Sequence, residues 1–265
     1  MGASDDRMSA EDRLIADYFK PIATHPGALA LTDDAAFVTP APGTDVVLKT
    51  DAIIGGVHFF AEDDARDVAR KALRVNLSDL AAKGATPLGF LVSLALPKDT
   101  SADWLKRFAL GLREDAEAYA CPLFGGDTDR TPGPVMVSIS MFGSVPSGAM
   151  VRRAGARPGH RVFVTGTIGD AALGLVLRQG AAWPLTAAQR EHLLARYLLP
   201  QPRNALAEVV RAYASAAMDV SDGLAGDLTK LCRVSGVAAR IDVAAVPLSD
   251  AARAAVAADA AMRET

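Results

Sequence analysis

The sequence predicts a two-domain protein of the α+β class, with mixed helices and strands. Apolar residues recur at three- and four-residue spacing in several segments, as they do in amphipathic helices. In residues 135–141, apolar and serine side chains alternate, as in a half-buried strand. Turn-forming residues at 145–148 follow this strand and mark a boundary between domains. We therefore expect an N-terminal domain at 1–147 and a C-terminal domain at 148–265.

The N-terminal domain is expected to carry three helices. Residues 11–19 have helical spacing, and Pro21 ends this first helix. The second helix begins at Ala69 and ends at Gly84, a residue type that suits a helix C-terminus. The third helix is predicted over residues 102–119.

Strands are predicted over residues 46–50, 90–96 and 135–141, and an acidic turn at 31–38 is expected to run into a further strand. Asp51 is expected to lie at the end of the strand at 46–50. The segment 53–60 contains Gly55 and Gly56 and is expected to form a loop.

The second helix breaks a local rule. Asn76 and Asp79 are three residues apart, so they are expected to share a face of the helix. Asn, Ser and Asp prefer caps and turns, yet they interrupt the apolar part of this segment. Because such local conflicts often mark functional sites, this helix is the first candidate to carry one.

In the C-terminal domain, strands are predicted over 161–165 and 239–243, and helices over 171–178, 187–197 and 204–214. Ser221 is placed as the N-cap of a further helix that ends at Gly236. The turn at 166–169 matches a dinucleotide-binding turn poorly, because its third glycine is misplaced. We interpret it as an ordinary strand-to-helix turn.

Composition and charge argue against several classes of protein. Cys121 and Cys232 are far apart and lack metal-binding spacing, which argues against a disulfide framework or zinc site, and both are expected in the core. A net charge of -3 and a pI near 5.8 give no support to nucleic-acid binding. The sequence has no apolar run of about 18 residues, and its N-terminus is too acidic for a secretory signal. We expect a cytoplasmic protein that binds no membrane.

Acidic residues recur after short apolar segments or beside glycine. They are Asp33, Asp34, Asp51, Asp79, Asp127, Asp219 and Asp222. Each alone fits a turn or a helix cap, but so many in one context are harder to explain in that way. At an effective dielectric of about 20, two carboxylates 4 Å apart repel by about 4 kcal/mol, so a site that gathers them needs cations. Oxygen ligands without His or Cys clusters favour Mg²⁺, which binds carboxylates together with substrate phosphates.

The sequence has neither the P-loop motif nor the protein-kinase motifs. Phosphates would instead be held by metal, by the backbone N–H groups of Gly125 and Gly126, and by an arginine such as Arg153. Arg153 fits a solvated surface position equally well. His58, in a glycine-containing loop, fits either a structural role or a contact with substrate.

Together these motifs resemble the thiamine-monophosphate kinase family. Its superfamily also holds aminoimidazole ribonucleotide synthetase, selenophosphate synthetase and a hydrogenase maturation factor. The matching segments follow the family's order over residues 12–248. They are Asp33-Asp34-Ala-Ala, Lys49-Thr-Asp51, Gly56-Val-His58-Phe, Val75-Asn-Leu-Ser-Asp-Leu-Ala-Ala-Lys-Gly-Ala85, Gly125-Gly-Asp-Thr128, Arg153-Ala-Gly-Ala156 and Met218-Asp-Val-Ser-Asp-Gly-Leu224. The segment 76–82, with His58 upstream, favours this family over its relatives.

The resemblance implies a PurM-like architecture, with an N-terminal sheet-forming dimerisation domain and a C-terminal α/β domain. It implies direct in-line transfer of a phosphoryl group from ATP to thiamine phosphate, without a phosphoenzyme, to give thiamine diphosphate. It also implies a homodimer that pairs through the N-terminal domains, with nucleotide bound near the interface.

The resemblance also assigns residues to the site, motif by motif. The implied Mg²⁺ ligands are Asp34, Asp51, Asp79, Asp127 and Asp219, with Asp222 binding a further ion. Thr50 is implied to assist, and Lys49 is implied to belong to the same metal site. The implied ATP contacts are Gly126, Asp127, Arg153 and Ser221, and His58 is the implied substrate contact. Asp51, Asp79 and Asp127 are expected to act in catalysis.

The chain departs from the family pattern in three places. Thr32 stands where the family has glycine, and Lys49 where it has a small hydroxyl residue. Lys49 either supplies its ammonium group in place of a cation or points away. The sequence ends at Thr265, before the Gly-Gly-Glu/Asp-Asp-Tyr-Glu motif and the aromatic residue that the family uses for thiamine. Two alternatives stay open: the C-terminal domain is truncated, as a piece of a longer protein, or the protein is a shortened form with a damaged substrate pocket. In both, we expect the ATP and metal half to be retained, whereas substrate binding stays an open question.

Two other functions stay open at this point. One is another ATP-using synthetase of the same superfamily, which phosphorylates a different acceptor. The other is a catalytically weak dimeric module that binds nucleotide but lacks the substrate-binding C-terminus. Turnover with thiamine phosphate distinguishes both from the kinase.

Overall fold

A computed structural model describes residues 13–263, and the chain divides into two compact units. The N-terminal unit runs to Leu80 and continues over residues 85–149, and the C-terminal unit comprises residues 81–84 and the chain from Met150 onward. Helices and a sheet are both present, so the mixed class is confirmed, whereas the domain limits 1–147 and 148–265 stay a prediction. Within the described part of the chain, no helix is long and apolar enough to cross a bilayer.

The N-terminal unit is built on a four-stranded mixed sheet. Its strands are β1 (Thr44–Ile54), β2 (Thr86–Leu96), β3 (Leu123–Arg130) and β4 (Met136–Pro146). They lie in the order β1-β4-β2-β3, with β4 antiparallel to both of its neighbours and β3 parallel to β2. β1 and β3 are therefore the two edges of the sheet.

Two α-helices belong to the core of this unit, α1 (Ala65–Ala82) and α2 (Ala102–Ala118). Leu77 and Leu80 of α1 are fully buried in one cluster with Phe90 of β2 and Ile139 of β4. Burying such a side chain contributes about 1.5–3 kcal/mol, so these contacts fix the rotation of α1 over the sheet.

Side chains alternate between the two faces of the sheet. On the helix face, Val92, Ile139 and Met141 are at most 3% exposed. The intervening residues point the other way, and there Leu48 is 78% and Leu91 40% exposed. We call this second surface the open face. It comprises Val46, Leu48 and Thr50 of β1, Leu91 and Ser93 of β2, Asp127 of β3, and Ser138, Ser140 and Phe142 of β4.

The beginning of the described chain is helical, as expected, but not as one α-helix. A π-helix at Ile15–Phe19 passes into a 3₁₀ turn at Lys20–Ile22, which contains Pro21. Residues 11 and 12 of the predicted helix lie outside the described residues. Proline lacks the N–H that a continuing α-helix needs, which explains the change of helix type here.

The Gly125–Thr128 motif lies inside β3. Two local predictions in this unit need correction. β1 is longer than predicted, so Asp51 lies within the strand and not at its end, and the loop begins at Gly55. The strand expected after the acidic turn at 31–38 is wrong, because Phe37 is exposed and its N–H donates to the carbonyl of Gly27 at 3.0 Å instead of to a strand.

The C-terminal unit carries the remaining α-helices. They are α3 (Asp170–Arg178), α4 (Ala187–Leu198), α5 (Ala207–Tyr213), α6 (Leu224–Ser235) and α7 (Asp250–Ala258). A 3₁₀ turn at Asn204–Leu206 precedes α5, so the predicted helix at 204–214 is confirmed in outline. Leu177 of α3, Leu193 of α4 and Ala252 of α7 meet in the core of this unit.

The strands predicted at 161–165 and 239–243 are wrong, since residues 150–263 form no β-strand. Phe163 is 85% exposed, and Val243 begins a 3₁₀ turn. An apolar segment becomes a strand only where a neighbouring strand takes up its backbone groups, and a local pattern does not contain that information.

The two cysteines differ in their surroundings. Cys121 is fully buried in the N-terminal core, as predicted, and burial raises the pKa of its thiol to about 12. Cys232 on α6 is only half-buried. Both are free thiols.

Asp170, the first residue of α3, joins three segments of the C-terminal unit. Its buried carboxylate accepts hydrogen bonds from Thr167 Oγ1 and Ser249 Oγ, each at 2.5 Å, and lies 3.1 Å from His192 Nε2. Burial alone would raise the pKa of Asp170, but the hydrogen bonds from Ser249, Thr167 and His192 lower it overall. The folded chain therefore favours the ionised carboxylate.

Replacing Asp170 with Asn should destabilise the C-terminal unit by about 1–3 kcal/mol at neutral pH, because hydrogen bonds to a buried charge are lost. The folded pKa is lowered, so the stabilisation is present above the unfolded value, about 3.9, and is lost as pH falls through the folded pKa. Urea unfolding at neutral and at acidic pH measures this. The difference in the free energy of unfolding between the wild type and Asp170→Asn should become smaller in acid. The exposed control Asp250→Asn should have nearly the same free energy of unfolding as the wild type. An equal difference at both pH values would contradict the lowered pKa of Asp170.

Candidate active site

Three candidate residues meet beside β1. Lys49 and Asp51 are two residues apart in this strand, so both point to the helix face, where Asp79 projects from α1. Lys49 Nζ lies 3.1 Å from Asp51 Oδ2 and 2.9 Å from Asp79 Oδ2. The side chains of Lys49, Asp51 and Asp79 are 27%, 43% and 16% exposed, so solutes can reach the cluster.

The ammonium group of Lys49 serves as a cation between the two carboxylates. Burial alone would lower the pKa of Lys49, but hydrogen bonds and charges from Asp79 and Asp51 raise it above its ordinary value. Lys49 is therefore protonated at neutral pH. Of the two alternatives that the sequence leaves open, the structure has Lys49 pointing at the carboxylates.

Asn76 and Asp79 divide between the core and this cluster. Asn76 is wholly buried, and its Nδ2 donates to the carbonyl of Ala72, one turn earlier, at 3.0 Å. Its Oδ1 accepts no hydrogen bond from the described residues. Asp79, by contrast, contacts Lys49 of β1. The polar break in α1 therefore corresponds to one core residue and one site residue.

Thr50 and Asp127 lie on the open face, away from Asp51. Thr50 Oγ1 donates to the carbonyl of Ile139 at 3.1 Å and accepts from Ser140 Oγ at 3.3 Å. Asp127 is exposed and sits opposite Ser93 in the β2–β3 register. Within one chain, these two predicted ligands therefore face the other side of the sheet from Asp51 and Asp79.

Gly126 allows a close approach between two strands. A Cβ atom at this position would lie 1.9 Å from the carbonyl oxygen of Val92, so only glycine fits next to β2. This packing requirement is sufficient to explain the glycine. Its role as an ATP contact stays a prediction.

The loop after β1 holds His58 at the surface. The Ile54 N–H donates to His58 Nδ1 at 3.0 Å, and the nearly buried Lys71 of α1 donates its Nζ to the carbonyl of His58 at 2.7 Å. The loop is thus anchored at both its start and its middle. Lys71 positions this loop, and the sequence analysis did not identify it. Its place on the apolar side of α1, where a lysine is unusual, is the feature that could have identified it.

Asp34 lies in an irregular, exposed segment after the 3₁₀ helix Pro26–Leu31. The neighbouring Asp33 accepts the Ala35 N–H at 3.4 Å, the local turn contact that aspartate commonly makes. The role of Asp34 as a metal ligand stays a prediction.

In the C-terminal unit, Asp227 organises the segment that contains Ser221 and Asp222. The Asp227 carboxylate is buried, and its Oδ2 accepts the N–H groups of both residues at 2.9 Å. Lys230 Nζ lies 2.9 Å from Asp227 Oδ1 and also contacts Asp222. Burial would raise the pKa of Asp227, but the hydrogen bonds from Lys230, Asp222 and Ser221 lower it overall.

The prediction of Ser221 as a helix N-cap is wrong. α6 begins at Leu224, after Gly223 at φ +112°, a backbone conformation that favours glycine. The Ser221 N–H is instead held by Asp227, which the sequence reading missed. The position of Asp227 in the first turn of a helix could have indicated this contact, because aspartates there accept N–H groups near the helix start.

The other predicted residues of this unit occupy accessible or half-buried positions. Arg153 is exposed, and its carbonyl accepts a hydrogen bond from Ser235 Oγ at 3.1 Å. Ser235 Oγ in turn accepts the Gly155 and Ala156 N–H groups at 3.2 Å, which fixes the backbone of this motif. Asp219 is half-buried.

The donor chemistry beside β1 fits a hard cation. Among residues 13–263, no group of three or more His, Cys, Asp or Glu side chains is arranged to hold a metal. Two carboxylate oxygens, from Asp51 and Asp79, do converge on one cationic group, Lys49 Nζ. Carboxylate oxygens suit Mg²⁺, which usually completes its shell with water and phosphate. Asp51 and Asp79 are therefore suited to contribute to a magnesium site.

Two family models match this chain. The AIR synthase related protein, N-terminal domain, matches residues 32–145, and the corresponding C-terminal domain matches residues 157–264. The thiamine-monophosphate kinase of Caulobacter vibrioides is 43% identical over 241 residues, which cover 91% of this chain and 67% of that enzyme. The chain belongs to the thiamine-monophosphate kinase family.

Solved structures of the thiamine-monophosphate kinase family share this fold. The enzyme of Stenotrophomonas maltophilia K279a matches with a TM-score of 0.84 at 38% identity, over 98% of this chain and 81% of that one. AaThiL complexed with AMPPCP and TMP matches with a TM-score of 0.75 at 31% identity, over 96% and 80% of the two chains. The predicted two-domain PurM-like architecture is confirmed.

In the absence of nucleotide, the Lys49→Met variant of this protein should bind divalent cations more tightly than the wild type. A unit charge about 4 Å away contributes about 1 kcal/mol in water and more in a partly buried site, so we expect a gain of about tenfold. Calorimetric titration with Mn²⁺ measures the affinity. Lys106→Met, an exposed change on α2, is the matched control. Unchanged or weaker Mn²⁺ binding by Lys49→Met would show that the ammonium does not compete with a metal.

Proposed function

We propose that this protein transfers the γ-phosphoryl group of ATP to thiamine monophosphate and so forms thiamine diphosphate. The observation that carries this proposal is 43% identity to a thiamine-monophosphate kinase across 91% of the chain. A structural relative at 31% identity is a complex with AMPPCP and TMP, an ATP analogue and the phosphorylated acceptor.

The cluster beside β1 suits this reaction. The acceptor phosphate is itself the nucleophile, so the protein has to position two phosphorylated molecules and neutralise their charge, and no side-chain nucleophile is needed. We assign Asp51 and Asp79 to hold Mg²⁺, which when bound would neutralise phosphate oxygens and polarise the transferring group. Lys49, fixed between both carboxylates, contributes a permanent positive charge to the same cluster.

The remaining assignments extend the site beyond this cluster. We propose Asp34, Thr50, Asp127, Asp219 and Asp222 as further metal ligands, Gly126, Asp127, Arg153 and Ser221 as ATP contacts, and His58 as a substrate contact. The anchored loop supports the role of His58, because its ring is held at an exposed position by Ile54. The fixed backbone at 221–222 supports Ser221 as an ATP contact and Asp222 as a metal ligand, because Asp227 holds these residues in place while both stay exposed.

We further propose that the protein acts in the cytoplasm as a homodimer that pairs through its N-terminal sheets. β1 is an eleven-residue edge strand, and long exposed edges favour pairing with another strand. The open face beside it exposes Leu48 and Leu91, apolar side chains that a second sheet would cover. Both features point to the same surface of the N-terminal unit.

Purified protein with ATP, Mg²⁺ and thiamine monophosphate should form thiamine diphosphate in amounts equal to the ADP released. Chromatography with fluorescence detection of the oxidised thiamine compounds measures the product. ADP release only with a different acceptor would favour another synthetase of the superfamily. AMPPCP binding without turnover at saturating substrate would favour the nucleotide-binding module.

Asp79→Asn should lower turnover by about 100-fold or more, because metal coordination contributes several kcal/mol of charge stabilisation. The fold should persist, since asparagine costs little at this helical position. Asp67→Asn, on the first turns of the same helix, is the matched control and should retain activity. Steady-state kinetics and thermal melts test both variants. Wild-type turnover by Asp79→Asn would refute the metal assignment.

A further inference from the structure

We infer that Lys71 of α1 sets the affinity for thiamine monophosphate by holding His58 in place. The inference rests on the proposed function, in which His58 contacts that substrate. Lys71 is only 9% exposed, so it is placed to act through His58 and not by touching the substrate itself. It is therefore a positioning residue of the substrate site.

The first step is that three polar groups of His58 are held by the chain itself. The His58 N–H donates to the carbonyl of Ile54 at 2.9 Å, and its Nδ1 accepts the Ile54 N–H at 3.0 Å. The His58 carbonyl accepts a hydrogen bond from Lys71 Nζ at 2.7 Å. These contacts leave the ring nitrogen Nε2 for a bound molecule, and the residue as a whole is exposed.

The second step is that the loop around His58 has little packing of its own. Val57 is 71% exposed, and a Cβ atom built on Gly56 would meet nothing within 4 Å beyond its chain neighbours. The two contacts with Ile54 join residues four apart in the same turn, so they move together with the loop. A contact with another element is needed to fix the position of His58.

Lys71 supplies that contact from a core helix. Its hydrogen bond goes to the peptide group between His58 and Phe59, where the loop returns to the core, since Phe59 is 6% exposed. On either side of Lys71 in α1, Val68 and Leu73 are 2% and 0% exposed, so the helix that carries the ammonium group is itself fixed. The lysine thus connects the exposed loop to the body of the N-terminal unit.

The third step is the cost of burying the charge of Lys71. An ammonium group that is largely removed from water needs hydrogen-bond acceptors, and a hydrogen bond from a charged donor is about twice as strong as a neutral one. An apolar side chain could fill the same position on α1 without that cost. Stability alone therefore gives no reason for a lysine here, whereas fixing the His58 carbonyl does.

Loss of the Lys71 contact should weaken substrate binding and leave the chemical step nearly unchanged. The apparent affinity of a site falls in proportion to the fraction of molecules in the binding conformation, so a fall to about a tenth raises KM about tenfold. Asp79 of the metal cluster lies eight residues further along α1, about 12 Å along the helix axis. The expected signature is therefore a higher KM for thiamine monophosphate at nearly constant kcat.

A double-mutant cycle tests the inference. Lys71→Met removes the ammonium group but keeps an unbranched side chain, and it should raise the KM for thiamine monophosphate about tenfold, with kcat and the KM for ATP within about twofold of the wild type. His58→Ala should raise the same KM at least as much. In the His58→Ala background, Lys71→Met should raise this KM by less than about twofold further, since Lys71 acts through His58. Multiplied effects of the two substitutions would overturn the inference.

Val68→Ala is the matched control, because it also removes buried side-chain atoms from α1 but leaves the hydrogen bond to His58 in place. It should lower the melting temperature, while the KM for thiamine monophosphate stays within about twofold of the wild type. A rise in KM as large as that of Lys71→Met would attribute the effect to helix packing and overturn the inference. Lys71→Leu removes the same donor and replaces Lys71→Met if that variant does not fold.

The nitrogen resonances of the histidine rings give a readout that needs no turnover. The chain has four histidines, so the His58 signals are identified by their loss in His58→Ala. At about pH 8 an ordinary imidazole is neutral, and the wild-type His58 Nδ1 should give the signal of an unprotonated nitrogen, because it accepts the Ile54 N–H. In Lys71→Met this signal should broaden or shift toward the average of both ring forms. An unchanged signal would overturn the inference.

These outcomes separate the inference from the proposed function. If the wild-type protein forms no thiamine diphosphate, the proposed function fails, and the His58 ring signals decide whether Lys71 holds this residue. If the wild type is active but Lys71→Met has the wild-type KM for thiamine monophosphate, the inference fails and the proposed function stands.

Discussion

The packing of α1 on the helix face of the sheet is the constraint on which the candidate site depends. Leu77 and Leu80 are fully buried and fix how the helix is rotated. Asp79, between them in sequence, is then directed to the edge strand that carries Lys49 and Asp51. Each helical residue is turned by about 100° from the last, so another rotation of α1 would direct this carboxylate elsewhere. Site geometry and core packing are thus set by the same contacts.

The charges of this cluster follow from simple electrostatics. Two carboxylates held close together repel each other, and the ammonium group of Lys49 offsets that repulsion from within the chain. Phosphoryl transfer also depends on neutralising negative charge at fixed positions. A lysine in this position therefore stabilises the pair of carboxylates and adds a positive charge that does not depend on the concentration of divalent cations.

Local sequence pattern predicts the elements of the N-terminal unit well, because apolar spacing reflects burial. The helix that carries Asp79 and the strand at 135–141 are found as expected, at Ala65–Ala82 and Met136–Pro146. The face on which Asp127 lies could not be predicted, because it depends on strand order and register between distant segments. The contact of Asp227 with the Ser221 N–H could not be predicted either, because it depends on how the backbone before α6 folds back toward that carboxylate. The false strand at 161–165 shows the same limit, since a pattern does not reveal whether a neighbouring strand exists.

The hydrogen bond from the Ile54 N–H to His58 has a consequence for recognition. Because Nδ1 accepts that bond, the proton of the neutral imidazole resides on Nε2, and the exposed edge of the ring is a donor. A molecule that meets this ring must therefore offer an acceptor, such as a phosphate or hydroxyl oxygen, while an ammonium or amide N–H would find no lone pair there. The Ile54 N–H, at the end of β1, thus determines that the exposed edge of His58 binds hydrogen-bond acceptors and not donors.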